Sequence, residues 1–357
     1  MNDRSPAHNA DPLAHLPINR WGVGTVAVGK RVIVRRELTA EEAAQSGKKV
    51  TDVIGYVVSL DPFVVRPQQA PGKRAPEDAP AIDFSPYSLV TVKALPERTV
   101  RNADIRAVEL ATAKAFPGTE HKWVGDWLLR AGDGITERSN SALPVGPGAG
   151  TQPVPLQDIR DFYARHQLPV RIAVPDRICR PAQALVQSPG WSLGPEIIVM
   201  TRELGNLPAI QTVDGITAEV LSQPDAEWLN LYHFRGKQLP HGALELLRKE
   251  IDGRMCFGQL VLTTDGERRT VAITRGTLTE SDDGRTWLGF SAVEVAPDLR
   301  RRGLGTLLGL HMMQWGAESG ADSAYLQVVD GNDAGVALYR SLGFAEHHRH
   351  RYALWEG

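Results

Sequence analysis

"VEVAPDLRRRGLGTLLGL", Val293 to Leu310, decides the fold. It opens as a β-rich strand, breaks at Pro297, and sets three arginines against Gly303 and Gly305. From Leu304 onward, Leu307, Leu308, His311, Met312 and Trp315 recur at three- and four-residue steps. That spacing predicts a helix, which Gly320 ends. The loop therefore lies at a helix N-terminus, where unpaired N–H groups and the positive dipole end favour an anion. Glycines let the backbone approach phosphate oxygens, and Arg300, Arg301 and Arg302 supply charge at the rim. Two common phosphate motifs are excluded. No Gly-Lys-Ser/Thr follows, as a P-loop needs, and Leu308 stands where a dinucleotide fingerprint needs a third glycine.

A second stretch lies one helix and one strand further on: "NDAGVALYRSLGF", Asn332 to Phe344. Arg300-x-x-Gly303-x-Gly305, preceded by Val295 and Pro297, resembles the pyrophosphate motif of the GNAT N-acetyltransferase superfamily, whose members use acetyl-coenzyme A. Asn332, Leu338, Tyr339, Gly343 and Phe344 match that superfamily's second motif, with Gly335 in place of the usual alanine. The resemblance implies an α/β (α+β) GNAT fold for residues 206–357, a mixed, mostly antiparallel sheet flanked by helices. The strand-rich run "CFGQLVLT", "RTVAITRGTLTE" and "TWLGFSAVEV" fits it, as does a closing strand in "EHHRHRYALW".

Residues 100–205 read as helix, strand, strand, helix, strand, strand, with no phosphate loop. "DWLLRAGDGITERSNSAL" suggests two strands joined at Gly132-Asp133-Gly134, since Asp-Gly is a hairpin signal. The block resembles a degenerate GNAT half that has lost its coenzyme loop. Residues 16–99 hold four or five short strands, which predict a small β-barrel. Residues 1–15 read as a disordered polar leader. Nearly the whole chain after residue 15 resembles an actinobacterial GNAT family with an N-terminal barrel of the Src-homology-3 type. One mycobacterial member of that family is described as a histone acetyltransferase.

The resemblance assigns roles residue by residue. Arg300 to Thr306 would hold the pyrophosphate. The backbone of Val293 and Val295 would pair with the pantetheine arm between "FSAVEV" and "AYLQVV", and Asn332 would hydrogen-bond it. Tyr339 would protonate the leaving thiolate, since a phenol stays protonated at neutral pH. Alternatively, Tyr339 packs its ring in the core and Asn332 simply caps a helix. Glu294 is the candidate base, or else a solvent-facing carboxylate paired with an arginine. His347, His348 and His350 could also act as base, although the sequence places them in a solvated polar terminus and shows no partner carboxylate that would support a metal. Tyr232, His233 and Arg235 sit on a loop that lines the acceptor site in the superfamily.

Composition narrows the rest. A net charge of -2 over 357 residues gives no global pull toward nucleic acid or anionic lipid. The basic residues of the front block are interleaved with acids, which argues against direct nucleic-acid binding. Two distant cysteines suggest neither disulfide nor metal, and no apolar run reaches membrane length, so the cytoplasm is expected. The expected activity is acetyl transfer from acetyl-coenzyme A to an amine, either a lysine of a basic histone-like protein or a small amine. The competing reading is a non-catalytic acyl-coenzyme A sensor. Oligomeric state is open.

Overall fold

The computed structural model describes residues 16–17, 26–69, 74–95, 100–233, 248–249 and 251–357. The polar leader 1–15 and Arg235 lie outside them, as does most of residues 241–251, whose sequence "HGALELLRKEI" reads as a helix. The chain forms two units, Met1–Thr99 and Val100–Gly357.

The first unit is a five-stranded antiparallel sheet of β1 (Arg31–Glu37), β2 (Val50–Leu60), β3 (Phe63–Pro67), β4 (Ile82–Asp83) and β5 (Leu89–Ala94). Its order is β4-β3-β2-β1-β5. Alternation places Val32, Val34, Val57, Phe63, Val65, Phe84 and Val92 on one buried side. A short helix, α1 (Ala40–Ser46), interrupts the strands; Thr39 and Glu42 close a capping box at its start. The charges of this unit are mixed: Arg35 pairs with Asp52 at 2.7 Å and Arg36 with Glu42 at 2.6 Å.

The second unit begins with α2 (Asn102–Ala115), β6 (Glu120–Val124), β7 (Trp127–Ala131) and β8 (Ala142–Pro144). It continues through α3 (Leu156–Arg165), β9 (Arg171–Pro175), α4 (Arg180–Leu185), β10 (Trp191–Leu193) and β11 (Ile197–Glu203). Then come β12 (Ile216–Leu221), α5 (Ala226–Leu231), β13 (Arg254–Thr264), β14 (Glu267–Glu280) and β15 (Thr286–Val295). The unit ends with α6 (Leu304–Glu318), β16 (Ser323–Val329), α7 (Asp333–Ser341) and β17 (Ala345–Trp355). The α6 stripe buries Leu304, Leu307, Leu308 and Met312 against the sheet, as its spacing predicts.

All these strands join one sheet, in the order β12-β13-β14-β15-β16-β11-β17-β9-β8-β7-β6, with β10 paired to β17. Two pairs are parallel, β15 with β16 and β8 with β9. The centre of the sheet is an exchange. β11, the last strand of the 100–205 stretch, lies antiparallel to β16, and β17, the last strand of 206–357, lies antiparallel to β9. β11 and β17 pair with each other between them. Each half thus completes its neighbour's sheet.

Two expectations are corrected. β7 and β8 are not a tight Asp-Gly hairpin; residues 132–141 form a long loop between them. The Asn140 side chain folds it: its carbonyl accepts from the N–H groups of Gly132 (2.8 Å) and Gly134 (3.0 Å), and its amide donates to the Thr136 carbonyl (2.7 Å). Nor is "EHHRHRYALW" a solvated terminus, because β17 runs through the middle of the sheet and buries His347, His348 and His350.

Candidate active site

β15 and β16 pair in parallel at Trp287–Ser323, Leu288–Ala324 and Gly289–Tyr325, and no further. Beyond that point both strands continue, to Val295 and Val329, but they diverge. β15 also bulges against β14. Ile273 faces Glu294 and Arg275 faces Ser291, so Ala292 and Val293 share one opposing residue, and Ala292 takes a left-handed φ of 52°. Between the diverging strands and the N-terminal turns of α6 and α7 lies a cleft of about 770 Å³.

One end of the cleft is the quoted loop. Gly303 is the N-cap of α6 at φ 80°, a left-handed conformation that side chains strain to adopt. No side chain caps the helix, and its first turn carries no acidic residue. The amides of Leu304, Gly305 and Thr306 therefore face the cleft without intrahelical partners. Gly305 has a packing reason as well: a Cβ there would sit 3.1 Å from Leu338. Arg300 and Arg301 line the cleft. Arg302 is exposed and does not line it; its charge acts on Asp298.

The other residues of the second motif meet the same space. Asn332 and Tyr339 both line it. The Asn332 carbonyl accepts from the Gly335 N–H at 3.0 Å, so it also caps α7. Tyr339 stacks edge-on against Phe344 with centroids 6.0 Å apart, and burial pushes its phenol up to about 12. Val293 and Val295 line the cleft from β15, as does Glu294. Burial raises the Glu294 carboxyl, against the opposing pull of Arg300, 3.9 Å away, and of His233.

Of the expected acceptor residues, the two described ones, Tyr232 and His233, do not line the cleft. Tyr232 packs against Trp228 with ring centroids 5.5 Å apart. Burial raises its phenol, while the charges of Arg138 and Arg275 oppose that rise. His233 Nδ1–H donates to the Leu231 carbonyl at 3.0 Å. One lining residue had no sequence signal: Arg138, from the loop between β7 and β8.

The histidines form a separate buried network and none lines the cleft. Glu109 of α2 accepts from His348 Nε2 at 2.8 Å and from His350 Nδ1 at 2.7 Å. His347 and His348 meet through their Nδ1 atoms at 2.8 Å. A partner carboxylate is therefore present, contrary to expectation, on a helix far away in sequence. Burial opposes ionisation of Glu109, yet His350 and His348 hold its carboxyl below the usual range. Burial, with His348 adding to it, drives His347 down to about 3.

In the first half of the unit, the positions after β8 offer no comparable anion site. Asp126 lies over Gly146 and Gly148, where a Cβ on either would come within 2.2 Å of its carboxylate oxygens. Asp158 occupies the first turn of α3. Both charges oppose a phosphate.

Comparison with known proteins agrees with this architecture. Residues 102–353 match the family described as "Probable histone acetyltransferase Rv0428c C-terminal", and residues 26–72 match the "Rv0428c N-terminal Sm-like domain". The front unit is thus matched as Sm-like, where its sequence suggested the Src-homology-3 type. The chain is 34% identical over 327 residues to "Probable histone acetyltransferase Rv0428c" of Mycobacterium tuberculosis, covering 91% of this chain and 94% of that one. It is 27% identical to "Uncharacterized N-acetyltransferase YobR" of Bacillus subtilis, covering 70% and 98%. A solved "GCN5-related N-acetyltransferase from Kribbella flavida" shares the fold, with a TM-score of 0.53 at 19% identity over 72% of this chain and 97% of that one.

Proposed function

Because this chain belongs to the Rv0428c family of GNAT N-acetyltransferases, we propose that it acetylates a primary amine from acetyl-coenzyme A, with Tyr339 as acid and Glu294 as base. The observation that carries the reading is the divergence of β15 from β16 past Gly289 and Tyr325. It opens one cleft with uncapped helix amides at one end and a phenol on its wall.

The residues present fit the coenzyme. The amides of Leu304, Gly305 and Thr306, with Arg300 and Arg301, suit a pyrophosphate, and the unpaired edges of β15 suit an amide-bearing arm. Bound there, the coenzyme supplies an activated acetyl thioester. Glu294 takes a proton from the incoming ammonium, and its burial-raised carboxyl is better matched to that task than an exposed one. Backbone N–H groups at the β15 bulge stabilise developing negative charge on oxygen. Tyr339 returns a proton to sulfur. Its phenol is a weaker acid than a free tyrosine, but exclusion of water raises the basicity of a thiolate for the same reason.

We propose further that residues 100–205 are a GNAT-like half that has lost its coenzyme loop, with 206–357 as the working half. The matching order of elements and the reciprocal strand exchange support this, as do Asp126 and Asp158 in place of arginines. No helix among the described residues is long and apolar enough to cross a membrane, and both cysteines are free and buried. We take the cytoplasm as the place of action on those grounds.

The test is free-thiol release from acetyl-coenzyme A across a panel of small amines and basic proteins. Acceptor-dependent release that falls steeply in Tyr339→Phe is expected. Tight coenzyme binding with no acceptor-dependent release would instead make the protein a sensor.

A further inference from the structure

We infer that the amine this enzyme acetylates also carries a carboxylate, and that Arg138, supplied by the half without a phosphate loop, holds it. The inference rests on the transfer reading above and names the substrate class of the same cleft.

Arg138 comes from a braced loop. Asn140 ties that loop through three hydrogen bonds to backbone groups of Gly132, Gly134 and Thr136. The guanidinium lies 4.5 Å from the centre of the Phe116 ring and lines the cleft together with Phe290 and Ser291. It is half-buried, and among the described residues no carboxylate lies within ion-pair reach of it. Ser291, only 8% exposed, lines the cleft as well, and its hydroxyl has no hydrogen-bond partner among the described residues.

A buried hydroxyl without an acceptor is costly, and the half-buried Arg138 guanidinium has no carboxylate partner among the described residues; a group that supplies oxygen atoms answers both. A carboxylate does so for both, and the fork of an arginine suits it. Charge points the same way. Among the described residues three arginines and one glutamate line the cleft, and two of those arginines stand at the phosphate end. Of the described lining residues, that leaves Arg138 as the cation away from the phosphate end, where a lysine-rich tail would meet like charge. The carboxylate also gives the 100–205 half a role, since it builds one wall of the acceptor site.

The experiment uses the full chain and acetyl-coenzyme A. Acceptors are a series of ω-amino acids of increasing length, each beside its own primary amide, short peptides with an acidic second residue beside their glutamine counterparts, and a lysine-rich peptide. Wild type is expected to favour the carboxylate member of at least one matched pair by about 10- to 100-fold in kcat/KM, the worth of a charged hydrogen-bonded contact. Which pair responds tells a free amino acid from an acidic peptide. Arg138→Gln should erase that preference by slowing the carboxylate member, mainly through KM, while calorimetry still shows coenzyme binding; Arg138→Lys should restore part of it. Turnover indifferent to the carboxylate, or best on the lysine-rich peptide, overturns this inference and leaves acetyl transfer standing. Coenzyme binding without turnover of any acceptor overturns both. The matched pairs in wild type decide the matter even where the variant fails to fold.

Discussion

Gly289 lies so close under Tyr325 that a Cβ on it would come within 2.5 Å of the phenol oxygen. The same two residues form the last parallel pair before β15 and β16 separate. The mouth of the cleft is thus set by a glycine packed against an aromatic ring.

Gly289→Ala forces that ring or the strand to move. Overpacking of this kind costs about 1–3 kcal/mol. Urea denaturation should show a lower midpoint, and coenzyme affinity should fall with it. An alanine variant as stable and as tight-binding as wild type would mean that the pair does not set the divergence.

Gly303→Glu tests the phosphate end. The left-handed backbone costs a non-glycine residue about 1–2 kcal/mol, and nothing lies within 4 Å of the position a Cβ would take. The chain should therefore stay folded by circular dichroism. A carboxylate at the N-cap opposes a pyrophosphate, so calorimetry should find coenzyme binding abolished. Unchanged affinity would remove the loop from the site.

The acid role proposed for Tyr339 has a pH signature. Its phenol is pushed up to about 12 by burial, so it keeps its proton across the neutral and mildly alkaline range. No alkaline fall in kcat near pH 10 should trace to it. Tyr339→Phe should lower kcat by about 100-fold or more at every pH, as loss of a general acid does, and leave acetyl-coenzyme A affinity nearly intact. An alkaline limb near pH 10 in wild type that vanishes in the phenylalanine variant would count against this picture.

Acid stability should report the buried histidines. The unfolded chain binds a proton on His347 below about pH 6.5, whereas the folded chain refuses it until about pH 3. The unfolded state therefore holds more protons across that window, and stability declines as pH falls from 6.5 toward 3. Glu109, whose carboxyl is held low in the fold, adds a further loss as pH falls below the ordinary carboxylate range. His347→Gln should flatten the upper part of the profile in urea titrations. Glu109→Gln leaves His348 and His350 with a poorer acceptor and should cost about 3 kcal/mol at neutral pH. A profile insensitive to His347 would contradict its depressed basicity.

What could be read directly from the chain was whatever is encoded locally. The Pro297 break, the Gly303 cap and the Leu304–Trp315 stripe lie within one strand–loop–helix, and Asn332 and Tyr339 share one short helix. The hidden parts depend on pairing over long separations. Nothing near His348 announces Glu109, which stands on the opposite half of the unit. Nothing near Arg138 announces Ser291. The Asp133-Gly134 turn signal was overridden by Asn140, a single side chain that satisfies the loop's backbone in another way.

The exchange of β11 and β17 also sets an order of assembly. A ribosome makes β11 before its neighbour β16, so the second half finds that strand already made. β9, already paired with β8, has no partner on its other side until β17, the last strand of the sheet to be synthesised, has emerged. Until then its edge offers bare amides to any passing strand. A nascent chain stalled short of residue 345 would be a sticky intermediate, and severing the peptide between the halves would yield two fragments that recover a fold only together.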